Sequence, residues 1–243
     1  MTNKLKKFLS RKDIKVSLVE GNLSYCYECL EELVYGHQNT YSSLISDFTH
    51  LLLNSDIDPL EYLDKIYYAQ YSRLPLTDID IRNGIKILGD CAFDKCNKLE
   101  HVKIADGLKS IGNCAFYGCV RLSSINIPDS VTNIGKYAFQ YCSDLTSVEI
   151  PGRVMVISDY AFCDCPRLID LKINNGVKTI GYEAFKNCYG LTNITIPNSV
   201  SDICKFSFDG CTGLTDVTIP ERFKSRLQNI FGARTDKINF TFV

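Results

Sequence analysis

The stretch "IGNCAFYGCVRLSSINIP", residues 111–128, decides the fold of this 243-residue chain. It holds the pair Ala115-Phe116, a cysteine three residues after the phenylalanine and a leucine six residues after it. Apolar and polar residues then alternate as far as Pro128. Taken alone, Cys119 could be a metal ligand, a nucleophile or a packing residue. The rest of the chain distinguishes these roles.

The same pattern recurs every 23 residues. Its phenylalanines are Phe93, Phe116, Phe139, Phe162, Phe185, Phe208 and Phe231. Three residues after the first six stand Cys96, Cys119, Cys142, Cys165, Cys188 and Cys211. A constant period of this length is typical of a solenoid, in which each unit buries its apolar face against the next. We therefore interpret Cys119 as one member of a column of buried packing residues.

Each unit also carries two apolar positions separated by one polar residue, as in Ser124-Ile125-Asn126-Ile127. This two-residue period is typical of a short, half-buried strand. Proline follows four of these strands, where it ends hydrogen bonding along the strand. The period extends from Ile79 to Phe242, so we expect about eight parallel strands. We expect the other half of each unit to be a turn with a short helical or irregular segment.

The full pattern is Gly-x-x-Ala-Phe-x-x-Cys-x-x-Leu-x-x-Ile-x-Ile-Pro. It resembles the BspA-like (Treponema-type) leucine-rich repeat family over residues 76–243. The resemblance implies an α/β repeat solenoid that is curved, with the strands lining its concave side. Ser158 and Cys204 in the glycine column and Ser207 in the alanine column are local departures that leave this expectation intact.

Residues 1–72 lack the repeat and show helical apolar spacing in 23–35 and 40–53, which predicts a small N-terminal α-helical domain. The predicted solenoid is 73–243, with a divergent C-terminal cap from about residue 221. The stretch "IDPLEYLD", residues 57–64, resembles uncharacterised leucine-rich repeat proteins of bacteriophages and their bacterial hosts. That resemblance implies a location inside a bacterial cell.

The charge of the N-terminal region is uneven. Residues 16–64 contain nine acidic residues and no Lys or Arg, whereas the first fifteen residues contain six basic ones. The basic start could pack against its acidic neighbours, or the acidic helical face could attract a basic partner. The residues of this candidate partner-binding face are Glu28, Glu31, Glu32 and Asp47. Nucleic-acid binding by the basic start is disfavoured, since no aromatic residues or known motif accompany it.

Candidate chemistry is sparse. Cys26 and Cys29 form a single Cys-x-x-Cys, and a zinc site needs two more ligands at a spacing that His37 and His50 do not offer. Packing is the favoured role, with a metal or redox protein as the alternative. No nucleophile elbow, phosphate-binding loop or dinucleotide motif is present. We therefore predict no catalytic residues, no cofactor and no metal.

Two surfaces of the solenoid are candidates for partner binding. The concave face would carry His101, Lys103, Asn126, Glu149 and Lys172. Tyrosines near the phenylalanine column would either cover the outer turns or form a lateral binding strip; they are Tyr117, Tyr137, Tyr141, Tyr160, Tyr182 and Tyr189. Cys91, Cys114 and Cys163 lie outside the cysteine column, and we expect them to be exposed.

The formal net charge is -1, and no apolar run approaches the length of a membrane span or a signal peptide. We therefore expect a cytoplasmic location and no membrane partner. The predicted function is a non-enzymatic protein–protein interaction scaffold inside the cell, such as a phage-encoded protein that binds or inhibits a host factor. The alternatives are a cell-surface or secreted adhesin of the BspA-like type and a metal or redox protein using Cys26 and Cys29.

Overall fold

The computed structural model describes residues 77–81 and 85–243, so the predicted helical domain lies outside the described residues. The described chain winds into coils of 23 residues, each contributing a strand to one or both of two parallel ladders. The strands are β1 (Asp78–Ile81), β2 (Ile87–Leu88), β3 (His101–Ile104), β4 (Ser110–Ile111), β5 (Ser124–Ile125), β6 (Asn133–Ile134), β7 (Ser147–Ile150), β8 (Val156–Ile157), β9 (Asp170–Ile173), β10 (Thr179–Ile180), β11 (Asn193–Thr195), β12 (Asp202–Ile203), β13 (Asp216–Ile219) and β14 (Asn239–Phe242).

Within residues 77–81 and 85–243 the first ladder contains eight strands, as the repeat predicts. Its order is β1-β3-β5-β7-β9, followed by β11-β13-β14, with the hydrogen-bonded pairing interrupted between β9 and β11. All pairs are parallel and in register by one repeat: Ile79 lies opposite Val102, and Val217 opposite Phe240. Buried and exposed residues alternate along these strands. The fold is therefore an α/β repeat solenoid of the leucine-rich repeat type.

A second parallel ladder of strands, which the sequence did not predict, runs along the other half of the repeat units. The half of each unit that we expected to be turn and helical or irregular segment begins with a parallel two-residue strand, in the order β12-β10-β8-β6-β4-β2. In the described residues up to 220 the rest of each unit is turn or irregular, and no helix is present. A strand of two residues buries one side chain, such as Ile134, and so leaves no alternation in the sequence.

The core is a continuous column of phenylalanine rings. Neighbouring rings stack nearly parallel, for example Phe139 and Phe162 with centroids 4.9 Å apart and planes at 7°. The seven phenylalanine rings of this column, from Phe93 to Phe231, are each at most 2% exposed. Stacking identical rings along the solenoid axis buries a large apolar area in each coil, which an isolated repeat could not do.

The cysteine column packs beside the rings. Cys119 and Cys142 are fully buried, and each donates its S–H to the carbonyl oxygen of the phenylalanine one coil earlier. The distance from the Cys119 sulfur to the Phe93 oxygen is 3.1 Å, and the backbone N–H of Cys96 reaches the same oxygen at 3.1 Å. The cysteines therefore pack as small apolar groups and also satisfy a buried carbonyl.

The turn around each phenylalanine forms a third set of bonds between coils. The N–H groups of Cys91, Phe93 and Lys95 donate to carbonyl oxygens of the next coil at 2.8, 2.7 and 2.6 Å. Cys91 and Lys95 both have a left-handed backbone conformation, each with a φ of 57°. Left-handed residues on either side of the phenylalanine thus recur from coil to coil.

After β13 the chain forms a 3-10 helix (Glu221–Arg226), α1 (Leu227–Phe231) and a second 3-10 helix (Gly232–Lys237) before β14. Phe231 continues the ring column, with its centroid 5.4 Å from that of Phe208. Phe223 and Ile230 are the buried side chains of the first 3-10 helix and of α1. The end of the described stack is therefore covered by helical turns in place of a further standard coil.

Candidate functional site

The predicted sites divide into those the structure describes and those it does not. The acidic face of Glu28, Glu31, Glu32 and Asp47, and the pair Cys26 and Cys29, lie outside the described residues. The five first-ladder residues and the six tyrosines are described. No helix in the described part of the chain combines the length and apolarity needed to span a bilayer.

The face of the first ladder is polar and exposed. His101, Lys103, Asn126, Glu149 and Lys172 are all exposed, and each has a buried strand residue next to it. At the β1–β3 end the face forms an open depression of about 410 Å³, whose polar lining residues are Asp78, Asp80, His101 and Lys103.

The central charges of this face are paired with each other. The Lys172 Nζ lies 2.7 Å from Glu149 Oε1, and the Asn174 Nδ2 donates to the same oxygen at 2.8 Å. The hydrogen bond from Lys172, followed by that from Asn174, holds the pKa of Glu149 below its ordinary value of 4.5. A partner bound here would have to compete with these contacts, which makes the pair a weak anchor.

The six tyrosines do not form one strip. Tyr117 and Tyr141 contact each other edge to face, with ring centroids 5.4 Å apart. Tyr137, Tyr160 and Tyr182 form a separate row with centroid separations of 4.8 and 5.5 Å. Tyr189 is 49% exposed and has no ring contact among the described residues.

Sequence reasoning missed one member of this row. Phe206 contacts Tyr182 with centroids 6.2 Å apart and is 38% exposed. It stands two 23-residue periods after Tyr160, so this position was visible in the sequence. We call Tyr137, Tyr160, Tyr182 and Phe206 the aromatic row.

Three of the four members of the aromatic row have an unusual backbone. The φ angles of Tyr137, Tyr160 and Phe206 are 60°, 57° and 60°. The left-handed conformation costs an L-residue about 1–2 kcal/mol, because its Cβ crowds the following carbonyl oxygen. Bulky aromatic residues rarely adopt it.

The second left-handed position of each turn, two residues after the phenylalanine, is occupied by smaller residues in some coils. There Tyr141 has φ of 61°, whereas the equivalent residues of other coils include Gly118, Asn187 and Gly210. Glycine and asparagine reach this conformation at lower cost. Lys95 and Asp164 also occupy this position, with φ of 57° and 58°, so a small residue is the less strained choice there but not a requirement of the fold.

The phenol groups of Tyr141, Tyr160 and Tyr182 are neutral near pH 7. Burial raises the pKa of Tyr160, and a hydrogen bond with Glu183 raises that of Tyr182. The Asp164 carboxylate raises the pKa of Tyr141. Each therefore presents a hydroxyl that can donate a hydrogen bond beside an apolar ring, a combination common at protein interfaces.

The remaining thiols depart in part from expectation. Cys91 and Cys114 are half-buried, but Cys163 is only 3% exposed, so the prediction that it is exposed was wrong. Gln140, at the equivalent position one coil earlier, is also buried, whereas Tyr117 and Lys186 at that position are partly exposed. The Cys163 S–H donates to Asp164 Oδ2 at 3.2 Å.

The groups suited to metal binding or nucleophilic chemistry are scattered. Within residues 77–81 and 85–243, no three His, Cys, Asp or Glu side chains are placed to hold one metal ion. Burial raises the pKa of Cys142 and Cys165 well above the ordinary thiol value, which opposes formation of the reactive thiolate.

Comparison with known proteins gave one family match. The model of the BspA type leucine-rich repeat region matches residues 64–192 and 178–242, with six copies. No curated protein sequence matches the chain.

Solved structures of bacterial leucine-rich repeat proteins are also similar. A leucine-rich cell surface protein of Faecalibacterium prausnitzii is 20% identical with a TM-score of 0.33, over 69% of this chain and 59% of that protein. The leucine-rich repeat protein of T. pallidum is 27% identical with a TM-score of 0.38, over 51% of this chain and 67% of that one. A leucine-rich repeat protein of Bacteroides ovatus is 19% identical with a TM-score of 0.27, over 69% and 84%. The chain thus spans about 59% of the length of the Faecalibacterium protein.

Proposed function

The chain belongs to the BspA-type leucine-rich repeat family, and from that premise we propose that it is a non-enzymatic scaffold that binds a protein partner through its aromatic row. The family supports a protein-interaction or adhesin-type scaffold. An extended repetitive surface suits recognition, since each coil adds another set of side chains at a fixed spacing.

One observation carries the proposal. Tyr137, Tyr160 and Phe206 occupy left-handed positions that the fold would fill more stably with Gly or Asn. Strained residues that persist on a surface are a reason to infer a function for their side chains. Their rings cluster, and tyrosine is among the residues most enriched at the energetic centres of interfaces.

The first-ladder face is the weaker candidate. Its central charges, Glu149 and Lys172, are paired, and the described strands place no aromatic side chain on their exposed positions before β14. Short polar residues such as Ser124 and Asn126 dominate its middle. Interfaces are usually anchored by buried aromatic or arginine side chains, which this face lacks there.

We further propose that the protein acts inside the cell, as a phage-encoded or bacterial protein that binds or inhibits a host factor. The five column thiols that donate to phenylalanine carbonyls require reduced cysteine, which supports a reducing compartment. An adhesin at the cell surface is the second candidate, which family membership favours.

The test is partner capture with matched variants of the full chain. Wild-type protein, Tyr160→Asn/Tyr182→Asn and the first-ladder control Glu149→Gln/Lys172→Met would each be immobilised and exposed to bacterial lysate, and bound proteins quantified. We expect a partner retained by the wild type and the control, and reduced at least tenfold by the aromatic variant. Equal capture by all three proteins, or loss only in the first-ladder variant, would reject the aromatic row.

The acidic N-terminal residues are tested in the same assay. Glu28→Lys/Glu31→Lys/Glu32→Lys reverses three charges outside the aromatic row. Loss of the partner in this variant, with the aromatic variant unaffected, would assign binding to the N-terminal region. Loss in both would indicate a composite surface.

A further inference from the structure

Two half-buried cysteines occupy equivalent positions in consecutive coils. Cys91 and Cys114 are one period apart, and the Cys91 N–H donates to the Asn113 carbonyl at 2.8 Å. The Phe93 N–H donates to the Ala115 carbonyl at 2.7 Å, which holds the two turns in register. Equivalent Cα atoms of paired strands lie roughly 4.8 Å apart, and disulfides form at Cα separations of about 4.4–6.8 Å. The backbone spacing therefore permits a covalent link between these two coils.

Their side chains differ from those of the cysteine column. Each column thiol from Cys119 to Cys211 donates to a buried phenylalanine carbonyl and is at most 5% exposed. Cys91 and Cys114 instead interact with each other, beside Asp90 and Asp94. This pair is thus the place in the described cysteine set where two partly accessible thiols adjoin.

The surroundings keep both groups protonated near pH 7. Burial, followed by the Cys114 thiol, Asp94 and Asp90, raises the pKa of Cys91 to about 11. Burial also raises the pKa of Cys114. A thiol of high pKa attacks a disulfide slowly, because little thiolate is present near pH 7. We therefore expect the pair to oxidise slowly and only when a disulfide oxidant is supplied.

We propose that Cys91 and Cys114 are a modification site, at which a low-molecular-weight disulfide such as oxidised glutathione converts the two thiols into one disulfide linking consecutive coils. The thiolate of one cysteine attacks the glutathione disulfide, its S–S bond breaks, and one glutathione leaves and takes up a proton. The thiolate of the other cysteine then attacks the mixed disulfide and releases the second glutathione. Two protein thiols are oxidised and one glutathione disulfide is reduced to two thiols.

The link joins the coil of β2 to the coil of β4. These coils adjoin the N-terminal end of the described solenoid. A disulfide here would prevent the two turns from separating and would resist local opening of the stack from that end. The site does not depend on the proposed partner, and its test is independent of partner capture.

The experiment uses the full chain, folded, at pH 8 with excess oxidised glutathione. Remaining thiols are then alkylated under denaturing conditions and the protein is digested with trypsin. Cys91 and Cys114 fall on separate peptides, residues 87–95 and 110–121. We expect these two peptides to be recovered as one species joined by a disulfide. Its mass should be about 2 Da lower than the summed masses of the two peptides with these cysteines as free thiols. Dithiothreitol should separate them.

Two matched controls identify the intramolecular step. Cys204 is also half-buried, but the equivalent residues of the flanking coils are Gly181 and Leu227, so it should stop at the glutathione adduct. In Cys114→Ser, Cys91 should likewise stop at the adduct. The proposal is overturned if wild-type Cys91 and Cys114 are both recovered as separate adducts, or both as free thiols while Cys204 is modified.

Discussion

The Cys142 sulfur lies 3.2 Å from the carbonyl oxygen of Phe116, one coil earlier in the stack. The backbone N–H of Cys119 donates to the same oxygen, also at 3.2 Å. One carbonyl thus accepts a bond from its own turn and a bond from the next coil. In each coil the cysteine thus packs beside the stacked phenylalanine rings and also donates a hydrogen bond to a buried phenylalanine carbonyl. Both roles suit cysteine, which explains why it recurs at this position.

Replacing a central column cysteine should therefore destabilise the solenoid moderately. Cys142→Ala removes a fully buried sulfur and one of two bonds to the Phe116 carbonyl. The N–H of Cys119 still satisfies that carbonyl, so the main loss is packing, and we expect a cost of about 1–2 kcal/mol in the free energy of unfolding. Urea denaturation followed by circular dichroism measures it. Cys204→Ala, at a half-buried site, should cost less than about 0.5 kcal/mol.

Truncating the ring column should cost more than truncating the aromatic row. Phe139→Ala opens a cavity between two stacked rings and should lower the free energy of unfolding by about 3–5 kcal/mol. Phe206→Ala removes a side chain of the same size that is 38% exposed, and should cost under about 1.5 kcal/mol. Thermal and urea unfolding of both variants provide the comparison. Similar costs at the two sites would contradict the assignment of Phe206 to the surface.

The sequence predicted the first ladder and the core because both repeat as columns of like residues. Phe116, Cys119 and Ile125 each recur at the same phase, and the spacing between them distinguishes buried from exposed positions. The second ladder escaped prediction because its strands bury one residue each. Burial of Cys163 also escaped, since its column holds Tyr117, Gln140 and Lys186 and therefore shows no consistent polarity.

The geometry of the candidate surface was less predictable for a different reason. Tyrosine at positions 137, 141 and 160 gives no indication of a left-handed backbone, which glycine would have signalled. The neighbouring coils impose that conformation through their hydrogen bonds, as with the Tyr137 N–H and the Asp159 carbonyl at 3.1 Å. Nor does the sequence show that five of the six tyrosines divide into two clusters while Tyr189 has no ring contact among the described residues.

The pKa of Glu149 should depend on Lys172. The lysine and Asn174 hydrogen bonds lower that pKa below 4.5, so Lys172→Met should raise it toward 4.5. Because the folded-state pKa is depressed, the pair stabilises the protein above the unfolded-state pKa and loses this effect as pH falls through the folded-state value. Both groups are exposed, so the change in stability should be only tenths of a kcal/mol.

Carboxyl-detected NMR titration of the wild type and Lys172→Met measures the shift. Asp216 serves as an internal control, since its pKa is lowered by hydrogen bonds from Thr215 and Asn239 and not by Lys172. The Glu149 pKa should move while that of Asp216 stays fixed. An unchanged Glu149 pKa would show that the ion pair does not persist in solution.

Substitutions at Tyr141 should separate backbone strain from ring contacts. Tyr141→Gly and Tyr141→Ala both remove the contact with the Tyr117 ring, a loss of about 0.5–1.5 kcal/mol. Only glycine also relieves the left-handed backbone, with φ of 61°, which is worth about 1 kcal/mol. The glycine variant should therefore unfold at higher urea concentration than the alanine variant, the reverse of the usual order in regular structure. If the alanine variant proves the more stable, the left-handed backbone at Tyr141 is not strained. The argument from backbone strain at Tyr137, Tyr160 and Phe206 of the aromatic row would then lose its basis.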